Sequence, residues 1–364
     1  MPDDICEMAR LLADLGKTVF FPIHVEGNWE KFPSYDSDWV EALKLFLRFY
    51  AFERNANLEV YKDAAIDALN ECRNFLNDED ATQKVWEKNK ELLKNKSAGL
   101  NASHQPLNPG NSSSEKYDAL IFCKNFAKFC NKNIYKFALY KIKDNKILEA
   151  HTCLQKIRDV GPKIASLFLR DVAIKNCIND ADIKNRHLLQ PIDVWLERIT
   201  KILVDPNTKK NNAAKKLVWL ADKAQCSAPF LNAGIWYFGS QVAQYFGSQV
   251  AQMELQLKSD LKDPGSFRCA IEKRREKLAG KVEVDREAKL LSDFLSRASS
   301  QTSDPPDDKA TDPDSEREPN DRFTWEFDDV VWVKPGQTDQ EAEEEWLRRR
   351  AEKLKGMPKR PEKS

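Results

Sequence analysis

The residues best suited to chemistry in this 364-residue chain are a lysine behind a glycine–proline turn and an aspartate 30 residues later. Lys163 follows Gly161 and Pro162, so it falls in the first turn of a predicted helix. There the helix dipole disfavours a cation, and the amine is expected either to contact a phosphate or to act as a neutral nucleophile. Asp193 could stabilise positive charge developing on a sugar. Taken separately, each residue has an ordinary structural alternative. Lys163 could be an exposed surface side chain, and Asp193 could only cap a helix.

The sequence around Lys163 predicts two helices joined by a tight turn. Residues 154–173 read LQKIRDVGPKIASLFLRDVA. The first helix is expected to end near Ile157, Gly161 permits an unusual backbone angle, and Pro162 suits the first position of the next helix. The N–H groups of such a turn point towards one site, which suits a DNA phosphate. From the turn alone, an ordinary pair of bundle helices is an equal alternative.

A later helix is predicted to begin at Asp193. Residues 188–202 read LLQPIDVWLERITKI, in which Pro191 precedes the aspartate and an apolar stripe follows it. Asp193 therefore falls at an N-cap position, from which its carboxylate can also face a cleft.

Taken together, these segments resemble the helix–hairpin–helix DNA glycosylase superfamily, which includes endonuclease III and the 8-oxoguanine glycosylases. The likeness rests on VGPK followed by IASLFLRDVA and on PIDVW opening a helix, and it covers roughly residues 118–247. In bifunctional members the hairpin ends in glycine, any residue and lysine, and a later aspartate opens a helix. The resemblance implies that Lys163 and Asp193 are the catalytic pair. It implies DNA contacts at Val160, Gly161, Pro162 and Lys163.

The same resemblance implies a base pocket. Residues 230–240, FLNAGIWYFGS, are similar to the helix that lines this pocket in archaeal 8-oxoguanine glycosylases. Trp236 could stack on an extruded base and Asn232 could hydrogen-bond its edge. An aromatic core stripe with a capping asparagine is the alternative.

Three departures from the family pattern are evident. Asp159 replaces the usual first hairpin glycine; it can adopt a left-handed conformation but places a negative charge near the phosphate. The interval between Lys163 and Asp193 is longer than in endonuclease III. The four-cysteine cluster of that enzyme is absent, so no iron–sulfur centre is predicted.

Cysteine and histidine spacing predicts no metal site and no cofactor. The eight cysteines contain no CxxC pair, and the four histidines show no ligand spacing. Cys123 and Cys130 are seven residues apart, which could be half of an iron–sulfur spacing. One buried helix face is the preferred interpretation.

The charge is distributed in blocks although it sums to zero. Net charge is −9 over residues 1–83, +15 over 84–280 and −6 over 281–364. A basic centre is what a DNA-facing region needs, although lysines on solvated helix faces would give the same count. No long uncharged stretch is present, so we expect a soluble, unsecreted, cytoplasmic chain that does not contact membranes.

Helical periodicity predicts an all-α, two-lobed, helix–hairpin–helix glycosylase-like fold with a small C-terminal strand-and-helix appendage. The expected organisation is an N-terminal helical lobe over 1–96, a flexible connection over 97–115 and the glycosylase-like domain over 116–297. A disordered linker over 298–320 and a strand with a charged helix over 321–364 follow. A tandem octapeptide, YFGSQVAQ, spans 237–252 and is expected to lengthen or distort one helix.

The predicted function is a bifunctional DNA glycosylase and abasic-site lyase that removes a damaged base, such as an oxidised purine, in base-excision repair. Its partner would be double-stranded DNA carrying that base, and the protein is expected to be a monomer. A non-catalytic helix–hairpin–helix DNA-binding protein is one alternative. The other is an interaction protein whose C-terminal tail binds a protein partner.

Overall fold

The protein is predominantly α-helical, as the sequence predicts. The computed structural model describes residues 3–52, 58–96, 105–110, 116–242, 250–279 and 284–300. Within these ranges the backbone forms no strand, and one isolated bridge joins Tyr117 to Ile157. None of the helices described there is long and apolar enough to cross a membrane.

The first half of the described chain contributes eight α-helices. They are α1 (Asp3–Leu15), α2 (Gly27–Trp29), α3 (Trp39–Phe46), α4 (Leu58–Glu71), α5 (Ala81–Lys96), α6 (Ala119–Lys124), α7 (Ala127–Cys130) and α8 (Ile134–Lys143). The second half adds eight more. They are α9 (Ile147–Leu154), α10 (Pro162–Lys175), α11 (Val194–Leu203), α12 (Lys210–Ala224), α13 (Ala228–Tyr237), α14 (Val250–Asp260), α15 (Pro264–Leu278) and α16 (Asp285–Ser300).

Within the described ranges, three segments are wound as wider π-helix, which is rare in proteins and often marks functional sites. They are π1 (Gly16–Glu26), π2 (Leu47–Ala51) and π3 (Phe238–Val242). Each directly continues an α-helix, namely α1, α3 and α13. The first YFGSQVAQ copy begins at the end of α13 and continues into π3, so the helix changes its winding there. The remainder of the duplication up to residue 249 lies outside the described residues.

The aromatic-rich stretch 118–141 has continuous helical periodicity but is divided into α6, α7 and the larger part of α8. Asp118 caps α6 by accepting hydrogen bonds from the amides of Leu120 and Ile121. Asn131 and Lys132 take left-handed backbone angles that end α7, and Asn133 then caps α8. Cys123 and Cys130 are both buried in the core, but they lie on two helices, α6 and α7, and do not share one helix face.

The helices pack in two groups that do not follow the chain order. Helix α1 and π1 pack against α12, α13 and α16, whereas α3 packs against α4, α6 and α8. Helix α10 contacts members of both groups, including π1, π2, α8 and α13. The helices described between residues 3 and 96 therefore contribute to both groups.

Two glycines allow α1 to approach α13 very closely. A Cβ atom on Gly234 would lie 1.7 Å from the backbone oxygen of Leu12. A Cβ on Gly16 would lie 2.0 Å from the backbone oxygen of Phe230. Only residues without a side chain fit at this crossing.

Part of the predicted flexible connection 97–115 is packed. Gln105 and Leu107 are buried, and the Pro106 carbonyl accepts a hydrogen bond from the Ala119 amide. The predicted linker and appendage beyond residue 300 lie outside the described residues.

Candidate active site

A cavity lies where α10 meets the two groups of helices. It encloses about 650 Å³ of space not filled by protein atoms, part of it open to solvent. Its lining residues come from π1, α2, π2, α10, α11 and α13 and from the segment before α11. They are Phe20, His24, Asn28, Phe49, Tyr50, Lys163, Leu167, Arg170, Asp171, Pro191, Asp193, Leu196, Asn232 and Trp236.

Lys163 reaches this cavity from the first turn of α10. Pro162 occupies the start of the helix as predicted, and Gly161 is its N-cap residue with an extended backbone (φ −104°). The unusual backbone angle expected of Gly161 is found instead at Asp159, whose φ of 63° is left-handed. Asp159 therefore makes the turn that a glycine makes in the family pattern. Lys163 is half-buried.

The other hairpin residues differ in which backbone groups they can offer to a ligand. Val160 is only 1% exposed, and its amide already donates to the Ile157 carbonyl. The Val160 amide is thus already used within the hairpin, and the carbonyl cannot donate to a phosphate. The amides in the first turn of α10 have no intrahelical acceptor by helix geometry, so this turn is the donor-rich part of the hairpin.

A buried histidine holds the start of α10 in place. His151 Nε2 lies 3.2 Å from the Pro162 carbonyl oxygen and 3.1 Å from Ser166 Oγ. Gln155 Nε2 donates to His151 Nδ1 at 3.0 Å, so Nδ1 is the acceptor and Nε2 carries the proton. Burial lowers the pKa of His151. The neutral ring therefore fixes the hairpin without adding charge.

The hairpin is held from its other side by the segment before α6. The Tyr117 amide donates to the Lys156 carbonyl at 2.8 Å, and the Arg158 amide donates back to the Tyr117 carbonyl at 2.8 Å. Arg158 Nε also donates to the Asn108 carbonyl at 3.0 Å. The helix predicted to reach Ile157 ends at Leu154, since the backbone at Ile157 pairs with this segment.

Asp193 enters the cavity as the N-cap of α11, as predicted. Its Oδ1 accepts hydrogen bonds from the amides of Trp195 at 3.0 Å and Leu196 at 2.8 Å. The 30-residue interval returns to Lys163 through two short 3₁₀ turns, Asp180–Asp182 and Arg186–Leu189. The cap bonds anchor one carboxylate oxygen, so the other can face the cavity.

Adjacent, oppositely charged residues of α10 form the buried floor of the cavity. Arg170 Nε donates to Asp171 Oδ1 at 2.8 Å, and Arg170 Nη1 donates to Asn232 Oδ1 at 2.9 Å. Tyr50 donates to the other Asp171 oxygen at 3.0 Å and accepts a hydrogen bond from Trp29 Nε1 at 3.0 Å. Burial raises the pKa of Asp171, and the Arg170 guanidinium opposes that effect.

The aromatic wall is made by Phe20, His24 and Trp236. The Trp236 ring meets Phe20 and His24 edge-on, with centroids 5.6 Å and 5.4 Å apart. The Arg170 guanidinium lies over the Phe20 ring at 4.9 Å. Burial lowers the pKa of His24 to about 4, so its ring is neutral near pH 7.

The cavity brings together Lys163, Asp193, Asn232 and Trp236, four of the residues singled out by sequence. Asn232, expected to face a base, has its amide oxygen bound to Arg170, and its amide nitrogen donates to the Pro191 carbonyl at 3.4 Å. It therefore orients Arg170. Sequence reasoning missed Arg170, Asp171 and His24. An adjacent Arg–Asp pair inside an otherwise apolar helix was the available signal for the first two.

Cysteine and histidine clusters do not add a metal site to this picture. Among the described residues, no group of three histidine, cysteine, aspartate or glutamate side chains is arranged to hold a metal ion.

Comparison with known proteins identifies one distant relative. No family model matches the chain, and no solved structure matches it. The chain is 26% identical over 225 residues to an uncharacterized protein of Methanocaldococcus jannaschii. That match covers 57% of this chain and 51% of the relative, so the chain spans about half the length of the curated protein it matches.

Proposed function

We propose that this protein is a bifunctional DNA glycosylase that removes a damaged base and then cleaves the strand at the resulting sugar. The observation that carries the proposal is the convergence of Lys163 and Asp193 on one aromatic-lined cavity. They are separated by 30 residues in sequence, yet a nucleophilic amine and a carboxylate both face the space a flipped base would enter.

In the proposed reaction the Lys163 amine attacks the sugar C1′ while the C1′–N bond to the base breaks. The bonding electron pair leaves with the base, which takes up a proton. Asp193 stabilises the positive charge that develops on the sugar and assists proton transfer. Opening of the sugar ring gives a Schiff base between Lys163 and C1′. Loss of a C2′ proton then expels the 3′ phosphate by β-elimination.

The hairpin supports DNA binding in the same scheme. Its donor-rich first turn suits a phosphate, and the bonds from His151 and from the Tyr117 segment keep it in a fixed position. A DNA backbone held there would place the neighbouring nucleotide near Lys163.

Borohydride trapping tests this function. Wild-type protein, incubated with duplexes carrying a panel of lesions and with a plain abasic duplex, is expected to form a covalent adduct that reduction makes permanent. Lys163→Gln should abolish the adduct and strand cleavage yet keep most DNA affinity, because the hairpin amides remain. Lys175→Gln, at the other end of α10, is the matched control and should still be trapped.

The outcomes separate the proposal from its alternatives. DNA binding without any adduct, even on the abasic duplex, would reduce the protein to a non-catalytic DNA-binding module. If the protein does not bind DNA even at low salt, nucleic acid is excluded as its ligand. In that case, capture of a protein by residues 321–364 would favour the interaction hypothesis.

A further inference from the structure

An exposed tryptophan lies between two lysines on the outer side of α12. Lys215, Trp219 and Lys223 follow one another at intervals of four residues, so their side chains leave the helix on the same side. All three residues are exposed, Trp219 by 44%. None of them lines the cavity between α10, π1 and α13, so this lysine–tryptophan face is a separate surface.

The opposite side of α12 holds the helix against the rest of the protein. Its alanines and leucines are buried, and the helix packs against α1, α11 and α13. Trp219 takes no part in this packing and leaves much of a large aromatic ring in water, where apolar surface is unfavourable. Packing of the core therefore does not account for a tryptophan at this position.

The positive charge of the lysine–tryptophan face is not neutralised by carboxylates. Neither Lys215 nor Lys223 has an ion-pair partner among the described residues. Asp222, on the neighbouring surface of the helix, is already paired with Arg186. Burial, and then the charge of Lys215, lowers the pKa of His187. The two lysines thus remain available to an anionic ligand.

Phe75 shows how a comparable aromatic ring elsewhere differs. It is 48% exposed, and the Lys84 ammonium lies 4.9 Å from the centre of its ring. That ammonium is paired with Asp78 at 3.2 Å and with Asp80 at 2.9 Å. An exposed ring beside a neutralised lysine has no charge to offer a ligand, whereas the face on α12 offers both a ring and free positive charge.

We propose that the lysine–tryptophan face binds single-stranded nucleic acid. One unpaired base stacks on Trp219, and the phosphates on its two sides contact Lys215 and Lys223. Each lysine is about 6 Å along the helix axis from the tryptophan. Stacking on a protein ring needs a base whose face is not covered within a double helix, so an unpaired strand is the ligand that uses the ring and both charges.

The distribution of apolar residues on α12 argues against a membrane as the ligand. A helix that lies on a membrane inserts a broad apolar side between the lipids. The leucines of α12 are instead buried in the protein, which leaves a single large ring among charged residues.

The test measures the binding of a fluorescent strand of about ten thymidines, alone and annealed to its complement, by anisotropy at low salt. Wild-type protein should bind the single strand, and Trp219→Ala should weaken that binding roughly tenfold because the stacked base loses its ring. The same variant should bind the duplex nearly as wild type does. Phe75→Ala removes an equally exposed ring beside a neutralised lysine and should leave both affinities unchanged.

The two lysines are tested by the salt dependence of single-strand binding. Lys215→Gln combined with Lys223→Gln should reduce the slope of log affinity against log salt by roughly 1.4, which is about 0.7 for each lost phosphate contact. Lys94→Gln combined with Lys258→Gln is the matched control, since it removes two exposed lysines from other helices. That control should keep the wild-type slope.

Thermal unfolding identifies a variant that fails to fold, and the remaining α12 variant then decides. The inference fails if wild-type protein does not bind the single strand, or if both α12 variants bind it as wild type does. It also fails if Trp219→Ala loses binding to anionic lipid vesicles but keeps its affinity for the strand. All of these results leave the proposed glycosylase function standing, because adduct formation through Lys163 is measured on duplexes.

Discussion

Arg170 and Asp171 are a buried ion pair whose loss should be felt in stability as well as in binding. Asp171→Asn would leave the guanidinium as an uncompensated buried charge, and we expect the free energy of unfolding to fall by about 3 kcal/mol or more. Tyr50→Phe is the matched comparison because it leaves the charge of Asp171 in place while removing the hydrogen bond to that carboxylate and the one from Trp29 Nε1. It should lower that free energy by roughly 2 kcal/mol. Urea unfolding of both variants measures the difference.

Equal effects of the two substitutions would show that Asp171 acts as a hydrogen-bond acceptor and that its charge is unimportant. Such a result would also weaken the assignment of Arg170 as a fixed, permanently oriented donor.

His24 predicts an acid sensitivity of the fold. Burial lowers the pKa of His24 from 6.5 to about 4, so between these values the unfolded chain takes up a proton that the folded protein does not. Stability is therefore unaffected above pH 6.5 and falls as the pH drops from 6.5 to about 4, by up to roughly 3 kcal/mol. His24→Gln should remove this part of the loss. Unfolding free energies of both proteins across that range provide the measurement.

Wild type must be compared with His24→Gln because other titrating groups oppose the loss of stability at low pH. Burial raises the pKa of Asp118 to about 6, so protonation of its carboxyl favours the folded state as the pH falls. A difference between wild type and variant that is constant over pH 4–7 would contradict the assigned pKa of His24.

The sequence predicts much of the site at the level of single residues. Lys163 and Asp193 were identifiable because glycine, proline and aspartate specify helix starts through local backbone chemistry. Arg170 and His24 were not, because their importance comes from burial against residues distant in sequence, which no local pattern encodes. Asn232 was placed in the correct cavity, but its partner, Arg170, could only be found in three dimensions.

At the scale of elements, the crossing of α1 and α13 depends on Gly16 and Gly234. Gly234→Ala would drive a Cβ into the Leu12 carbonyl, which is backbone and cannot rotate away. We expect the free energy of unfolding to fall by roughly 1–3 kcal/mol. Gly265→Ala at the start of α15 is the control, since its Cβ would meet only the Asp263 side chain at 3.1 Å.

Thermal unfolding midpoints suffice for this comparison. If Gly234→Ala unfolds at the wild-type temperature, the helices can separate at no cost and the close contact between α1 and α13 does not contribute to stability.

The hairpin offers a second prediction at this scale, which concerns DNA affinity. Asp159→Asn keeps a residue that tolerates the left-handed angle and removes a negative charge beside the proposed phosphate site. Affinity for duplex DNA should rise several-fold at low salt. Asp144→Asn is the control: it removes a negative charge at the opposite end of α9 and should change the DNA affinity little. Fluorescence anisotropy with a labelled duplex measures the affinity of both variants. If Asp159→Asn binds DNA as wild type does, the phosphate does not bind at the hairpin.

Among the elements, sequence periodicity predicts helices well and their interruptions poorly. Apolar residues recur at helical spacing throughout residues 39–52, yet the end of this stretch widens into π2. Apolar spacing cannot distinguish the two windings over a single turn, because both bury similar positions. The break at Asn131 and Lys132 left a clearer signal, since asparagine tolerates left-handed angles.

At the scale of the whole molecule, the charge blocks of the sequence do not become separate lobes. Helix α1, from the acidic block, packs against α12 and α13 from the basic one. We expect DNA binding to weaken roughly tenfold or more between about 50 and 200 mM salt, because each neutralised phosphate releases counterions. Salt-independent binding would contradict a phosphate-based interface.

Much of the cavity wall lies on or next to the three π segments. Phe20 and His24 lie on π1, Phe49 and Tyr50 lie on π2, and Trp236 directly precedes the residues that lead into π3. A π turn is wound with hydrogen bonds between residues i and i+5, is rare, and often occurs at functional sites. Lys163 and Asp193, by contrast, belong to ordinary α-helix starts. The two proposed reacting groups thus lie on ordinary α-helix starts, while much of the surrounding wall is wound as π-helix. Amide hydrogen exchange should accordingly be faster across π1 than across α1, although the two form one continuous helical rod.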